Sequence, residues 1–421
     1  MAGRLAARGL ARCLSRPAAD KGRLYLTQSN HLSSVTYTYG TPPSHGSAAA
    51  TAVAHAAEKI ITPLVIEHLD RHGYAVVDGA LDGEATRIAV CGKGGEEVMM
   101  ALSESLRREL EALVDTPGAM LPNATHLVQK EGTMKLEKSG IFEAEVHALD
   151  EETLNTTTPT FRAVLEDRSM LTLLNVMLPP PTPLHQLHYQ SVKLQLNMGD
   201  GGCFPLHFDS DATVDGRRVT ALTYLNPDWA PGDGGELVLY PFPHQPVKIE
   251  PIMGRVVLFS AANMLHRVLP SEKKRLCFTT WFFAKSAAAH PGAHGGTGVV
   301  IGTRDHGGGE SRRENPGDAR EHGAEPAAAS TTAVAEACVL VQPHLRKHLM
   351  RVVYAEEWAQ SIAAAHPESP ARTAALETHW KEVEVISRVL AGKYPKGLEL
   401  IARVMASGSK DDKAALRVTW F

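Results

Sequence analysis

The chain is poor in the features that staple or anchor a protein. Its five cysteines (Cys13, Cys91, Cys203, Cys277 and Cys338) are scattered, odd in number and without C-x-x-C spacing. That speaks against a disulfide framework or a zinc-cysteine site and fits a reducing compartment. No apolar run approaches the roughly 20 residues needed to cross a bilayer, so no membrane is expected among its partners. Neither sign of charge prevails: 43 Lys and Arg against 47 Asp and Glu leave a formal −4, which argues against a general binder of nucleic acid or membrane surfaces. What remains is the composition of a folded protein, 43% hydrophobic and 21% charged over 421 residues, enough for two or three domains.

Composition divides the chain into four parts. Residues 1–57 open with "MAGRLAARGLARCLSRPAADKGRLYLTQSN", where Arg4, Arg8, Arg12, Arg16, Lys21 and Arg23 face a single acid, Asp20. On a helix the arginines form one basic stripe, as in an organelle transit peptide for a mitochondrion or chloroplast; the alternative is an Ala/Arg tail on a cytoplasmic protein. Residues 31–57 read as a Ser/Thr/Ala linker. From 58 to 285 the texture is that of a folded domain: a helix, a turn at His72-Gly73 and a strand, then a helix over "EEVMMALSESLRRELEALVD". One or two strands are expected within 125–149, and a single helix over "FRAVLEDRSMLTLLNVML" is stopped by Pro179–Pro181. Residues 286–332 are a Gly/Ala-rich flexible linker. Residues 333–421 are helical and either pack on the domain or mediate self-association.

From 188 to 285 short β-rich runs alternate with glycine turns: "YQSVKLQLN", "CFPLHFD", "RRVTALTYL", "GELVLYP", "VKIEP", "RVVLFS", "HRVLP" and "RLCFTTWFF". Many short strands at close spacing predict an all-β core of the jelly-roll kind with flanking helices. Within it, "CFPLHFDSD" sets His207 and Asp209 two residues apart, on one face of an extended segment. Such a pair holds a metal, shares a proton, or meets water. His266 opens a later strand. Two imidazoles and one carboxylate on one face leave about three positions open on an octahedral metal, the arrangement of non-haem iron(II) oxygenases; a structural zinc site closes its shell with four protein ligands. Arg275 falls on a strand rich in Cys, Phe, Thr and Trp, where an unpaired guanidinium is costly to bury. A carboxylate partner suits its planar fork.

The stretch "HFDSDATVDGRRVTALTYLNPDW…GDGGELVLYPF…GRVVLFSAANMLHRVLPSEKKRLCFTTWFF" resembles the catalytic core of the prolyl 4-hydroxylase-like 2-oxoglutarate/iron(II) oxygenases, nearest in pattern to the oxygen-sensing prolyl hydroxylases. The resemblance covers about 188–285, with a weaker echo from about residue 60. It implies a double-stranded β-helix with iron(II) on His207, Asp209 and His266. It implies Arg275 on the distal carboxylate of 2-oxoglutarate, helped by the Tyr224 hydroxyl, with Thr220 and Trp281 lining the cosubstrate pocket. Dioxygen is the second cosubstrate and ascorbate the reductant. The implied reaction couples decarboxylation of 2-oxoglutarate, to succinate and CO2, with hydroxylation of a C–H bond.

Two positions depart from the pattern. Where the oxygen sensors carry a tyrosine this chain has Asn197, which on this reading still touches the cosubstrate. Where they use one arginine against substrate it has two, Arg217 and Arg218, at the pocket mouth. The loops of 115–180 match nothing in the family, so the substrate is not carried over. A protein or peptide side chain, possibly proline, stands first. The same chemistry on a small molecule or other biopolymer, and a jelly-roll protein that binds metal without turnover, are the alternatives.

Overall fold

The computed structural model describes residues 48–91, 97–129, 132–178, 187–210, 216–284, 331–407, 416 and 418–421. The Arg-rich N-terminus, most of the Gly/Ala-rich stretch and Pro179–Pro181 lie outside the described residues.

Folded chain begins earlier than composition implies. The first helix, α1 (Ala48–Ile60), occupies the end of the expected linker and buries Ala52, Val53, Ala56, Ala57 and Ile60. Alanine is the strongest helix former, so a segment that reads as low complexity supplies a packing face. In α2 (Pro63–His72) the Thr62 hydroxyl accepts from Val65 N–H at 3.3 Å, and Gly73 closes the helix in the left-handed region. That glycine turns the chain into β1 (Tyr74–Val77). A ribbon of β2 (Arg87–Cys91) and β3 (Glu97–Ala101) leads into α3 (Leu102–Val114). Residues 97–101, expected as the start of that helix, are strand because Val98 and Met100 pair with Val90 and Ile88 of β2.

Two strands form in the next region, where one or two are expected: β4 (Leu121–Gln129) and β5 (Gly132–Glu145). The single helix expected after them is broken. Following α4 (Glu151–Thr156), α5 (Pro159–Glu166) ends at Asp167, whose carboxylate accepts from Ser169 N–H and Oγ at 3.0 and 2.9 Å and so starts α6 (Ser169–Met177). The eight β-rich runs all become strands: β6 (Leu187–Asn197), β7 (Gly202–His207), β8 (Arg217–Tyr224), β9 (Leu237–Tyr240), β10 (Val247–Ile249), β11 (Val256–Ser260), β12 (Leu265–Ser271) and β13 (Arg275–Ala284). Five helices close the described chain: α7 (Thr331–Leu340), α8 (Pro343–Val353), α9 (Ala355–Ala365), α10 (Pro370–Lys393) and α11 (Pro395–Ser407).

The strands form a seven-stranded sheet, β1-β11-β8-β13-β6-β5-β4, and a four-stranded sheet, β10-β9-β12-β7. Facing one another they make the jelly roll. Helices α1–α3, α5 and α6 cover the outside of the large sheet, with Leu69, Leu106, Leu110, Phe161 and Leu174 against Leu194, Leu196 and Phe282. Tyr224, Leu237, Leu239, Phe259, Met264 and Cys277 fill the space between the sheets. The C-terminal helices pack on the core, covering the outside of the small sheet, where Leu206, Tyr240, Phe242 and Leu265 meet Leu349, Met350, Trp358 and Ile401. At about 1.5–3 kcal/mol for each buried large apolar side chain, this helical region is part of the fold. No single helix among the described residues is long and apolar enough to cross a membrane.

Candidate metal centre

His207 and His266 are direct cross-strand partners in the β7–β12 pair, and Asp209 follows two residues beyond His207. Leu206 turns outward to the C-terminal helices while His207 turns inward, as strand alternation requires. Asp209 Oδ1 lies 3.5 Å from His207 Nε2 and 3.4 Å from His266 Nε2. One ligand atom from each residue falls within 4.8 Å of the others, and among the described residues this is the group of His, Cys, Asp and Glu able to hold a metal ion.

The protonation states suit a metal. His207 Nδ1 donates to Pro205 O at 2.7 Å and His266 Nδ1 to Met264 O at 3.1 Å, so both rings turn Nε2 toward Asp209. Burial and the neighbouring His266 lower the His207 imidazole, keeping it neutral. Burial works to raise the Asp209 carboxyl, but the His266 and His207 rings hold it well below the usual carboxylate range. A neutral His207 imidazole and an ionised Asp209 carboxylate are ligand forms that a divalent metal takes.

The large sheet supplies what holds this group. Thr220 Oγ1 and Trp281 Nε1 both donate to Asp209 Oδ2, at 2.6 and 3.2 Å, leaving Oδ1 to point between the two imidazoles. These two residues, expected to line the cosubstrate pocket, orient the Asp209 carboxylate. The Arg217 guanidinium lies 4.5 Å from the Trp281 ring centre, and its Nη1 donates to Asp209 O at 2.9 Å. Arg218 is next to it, Nη1 donating to Arg217 O at 3.1 Å. Both arginines therefore stand at the rim of the site, and Arg217 also braces it.

Arg275 is 2% exposed and Tyr224 fully buried between the sheets. Arg275 Nε and Nη2 and the Tyr224 hydroxyl have no hydrogen-bond partner. Burial pushes the Tyr224 phenol up, so it remains a donor. Three orphaned donors around one buried cation fit the distal carboxylate of a dicarboxylic acid. Gly235, from the "GDGGEL" turn, makes room for them: a Cβ there would stand 2.9 Å from Arg275 Cδ.

Asn197, expected to touch the cosubstrate, uses its amide in the β6–β7 turn: its Nδ2 donates to Gly202 O at 2.8 Å and its Oδ1 accepts from Gly199 N–H at 3.0 Å. Gln195 and Cys277 were missed, although they stand two residues from Asn197 and Arg275 and so share the inner face. Ser361 was missed as well; its Oγ accepts from Leu206 N–H at 3.0 Å across 155 residues, a distance no local pattern bridges.

A jelly roll gathering two imidazoles and one carboxylate beside a buried guanidinium defines a non-haem metal-site class. Residues 193–283 match the family model of the 2OG-Fe(II) oxygenase superfamily, and every residue just placed around Asp209 and Arg275 lies inside that match except Ser361. The chain is 38% identical over 88 residues to Egl nine homolog 1 of Rattus norvegicus and of Homo sapiens. Those matches span 20% of this chain, 26% of the rat protein and 20% of the human one, so the chain spans about a quarter or less of the curated relatives it matches. A solved structure of a prolyl 4-hydroxylase from Phytophthora capsici is 26% identical at a TM-score of 0.56, covering 84% of this chain and 95% of that one. The double-sheet core is thus similar to a 2OG-Fe(II) oxygenase domain over 193–283, and the wider likeness extends beyond the core into the flanking helices.

Proposed function

We propose that this chain is an iron(II)- and 2-oxoglutarate-dependent dioxygenase that hydroxylates a C–H bond on a protein side chain, proline being the first candidate. The observation that carries the reading is the pairing of an open-sided ligand triad with the orphaned donors of Arg275 and Tyr224 in one interior. Iron(II), 2-oxoglutarate and dioxygen together would supply the oxidising chemistry, with succinate and CO2 as coproducts and ascorbate as reductant.

The chain's own residues bind and orient. His207, Asp209 and His266 offer three ligand atoms on one side, leaving the opposite side to cosubstrates. Thr220 and Trp281 fix which carboxylate oxygen faces the metal. Arg275 and Tyr224 take the far carboxylate, placing the 2-oxo acid end toward the triad. Apolar side chains between the sheets, Phe259 and Leu239 among them, exclude water. The preference for a protein substrate rests on the Phytophthora capsici prolyl 4-hydroxylase likeness and on the basic rim of Arg217 and Arg218. The Arg-rich N-terminus supports work inside a mitochondrion or chloroplast, which import of a reporter fused to residues 1–57 tests.

Anaerobic titration of the metal-free protein with iron(II) and 2-oxoglutarate is expected to give a visible metal-to-ligand charge-transfer band. Admission of oxygen is then expected to bleach the band with formation of succinate. Iron binding without the band would overturn the reading in favour of a metal-binding jelly roll. Proline-containing peptides that raise succinate formation above the uncoupled rate, with a mass gain of one oxygen, would fix the substrate class; stimulation by small molecules alone would move it elsewhere.

A further inference from the structure

The guanidinium of Arg275 is not held symmetrically. Its Nη1 donates to Cys277 Sγ at 3.2 Å, and the thiol in turn donates to Gln195 Oε1 at 3.4 Å. All three lie on the inner face of neighbouring strands: Cys277 is two residues from Arg275 on β13 and pairs in register with Gln195 on β6. The same cysteine is the register partner of Tyr224 on β8, so the thiol sits at the centre of the proposed cosubstrate anchor. It is fully buried. Burial keeps the thiol protonated although Arg275 pulls the other way, so one sulfur can accept from arginine and donate to glutamine.

This placement decides which edge of the guanidinium is left. With Nη1 engaged by sulfur, the two orphaned nitrogens are Nε and Nη2, whose N–H bonds run parallel along one side. That edge takes a carboxylate by two parallel hydrogen bonds. We propose that Cys277, backed by Gln195, is a positioning residue for the cosubstrate: it turns Arg275 so that its Nε/Nη2 edge and the Tyr224 hydroxyl converge on the distal carboxylate of 2-oxoglutarate. The inference rests on the function proposed above. An apolar residue in place of Cys277 frees the guanidinium to rotate, and its cost falls on recognition of that carboxylate alone.

The test uses the full chain loaded with Mn(II), which binds without turnover, and calorimetric titration with two 2-oxo acids. One is 2-oxoglutarate; the other is 2-oxobutyrate, which lacks the distal carboxylate. Cys277→Ala is expected to weaken 2-oxoglutarate about tenfold, the loss of roughly one charged hydrogen bond. Mn(II) and 2-oxobutyrate should bind as they do in the parent, and Cys277→Ser, which keeps a polar hydrogen, should recover most of the loss. Equal weakening of both acids would assign Cys277 a merely packing role and overturn the proposal, as would unchanged 2-oxoglutarate binding in Cys277→Ala. If the parent protein itself fails to bind 2-oxoglutarate while holding Mn(II), the proposed function falls with it. If the parent binds and Arg275→Ala does not, yet Cys277→Ala matches the parent, only the positioning role falls.

Discussion

The two sheets of the jelly roll divide the work at the centre. The small sheet supplies the ligands: His207 at the end of β7, Asp209 just beyond it, and His266 opposite on β12. The large sheet contributes none of the triad but orients Asp209 through Thr220 and Trp281 and presents the buried Arg275 and Tyr224, proposed above as the cosubstrate anchor. The sheets also differ in support. On the large sheet β8 and β13 are interior strands with a partner on each side, whereas β7 is an edge strand whose free side is met by the C-terminal helices. Binding a metal asks for three atoms at fixed separations, and anchoring a dicarboxylate asks for a rigid wall some distance away. A molecule of two facing sheets meets both demands with one interior.

That division predicts separable defects. His207→Ala or Asp209→Ala, on the small sheet, is expected to abolish succinate formation and reduce iron affinity by at least about a hundredfold, read by metal titration and product assay. Retained turnover in both would end the assignment. Arg275→Ala, on the large sheet, is expected to raise the 2-oxoglutarate requirement about a hundredfold with iron affinity unchanged; loss of iron binding there would blur the distinction between the sheets. Trp281→Phe and Thr220→Val, which each free Asp209 Oδ2 from one donor, should weaken iron binding about tenfold with the 2-oxoglutarate requirement nearly unaltered.

The packing of the C-terminal helices gives a pH prediction. Burial lowers the imidazoles of His366 and His379 to about 4; the first has its Nδ1 3.1 Å from Glu137 O of β5 and the second its Nε2 2.8 Å from Ala355 O. Both folded values lie below the usual 6.5, so the unfolded chain binds more protons as pH falls. The associated stability is complete above pH 6.5 and declines toward pH 4, by about 2 kcal/mol for each histidine at pH 5. Urea midpoints at pH 7.5 and 5 check it, with replacement of both histidines by glutamine expected to flatten the difference. Smallest is Ser361→Ala, which leaves Leu206 N–H without its acceptor and should cost about 1 kcal/mol while making iron dissociate faster.

The ligand triad was legible because its rule is local: alternation puts His207 and Asp209 on one face whatever the rest does. The burial of Arg275 was legible because its strand is otherwise apolar, and two of its nitrogens do stand without a partner. What was not legible depends on contacts or on ambiguities that no local pattern resolves. Thr220 and Trp281 lie 11 and 72 residues from Asp209, so their inward direction could be read but not the oxygen they meet. Asn197 reads as a pocket residue by position, and its amide also bonds across the four-residue turn to Gly202. Helix α1 escaped notice because alanine marks helices and linkers alike, and strand 97–101 because its apolar run merges with the periodicity of α3.

The unpaired flank of β7 has a consequence for how this chain could be cut or recombined. The stretch matched by the family model ends at residue 283, but the helices that seal that flank begin at Thr331. The Trp420 carbonyl further on takes hydrogen bonds from Ser260 and Asn263, in the turn that precedes His266. An excised 193–283 module would carry every metal ligand and still expose a strand edge and an apolar sheet face, the two surfaces on which proteins stack into aggregates. The recognisable domain and the autonomous folding unit are therefore different lengths of chain. A transplant of the chemistry into another protein must bring the helices with it.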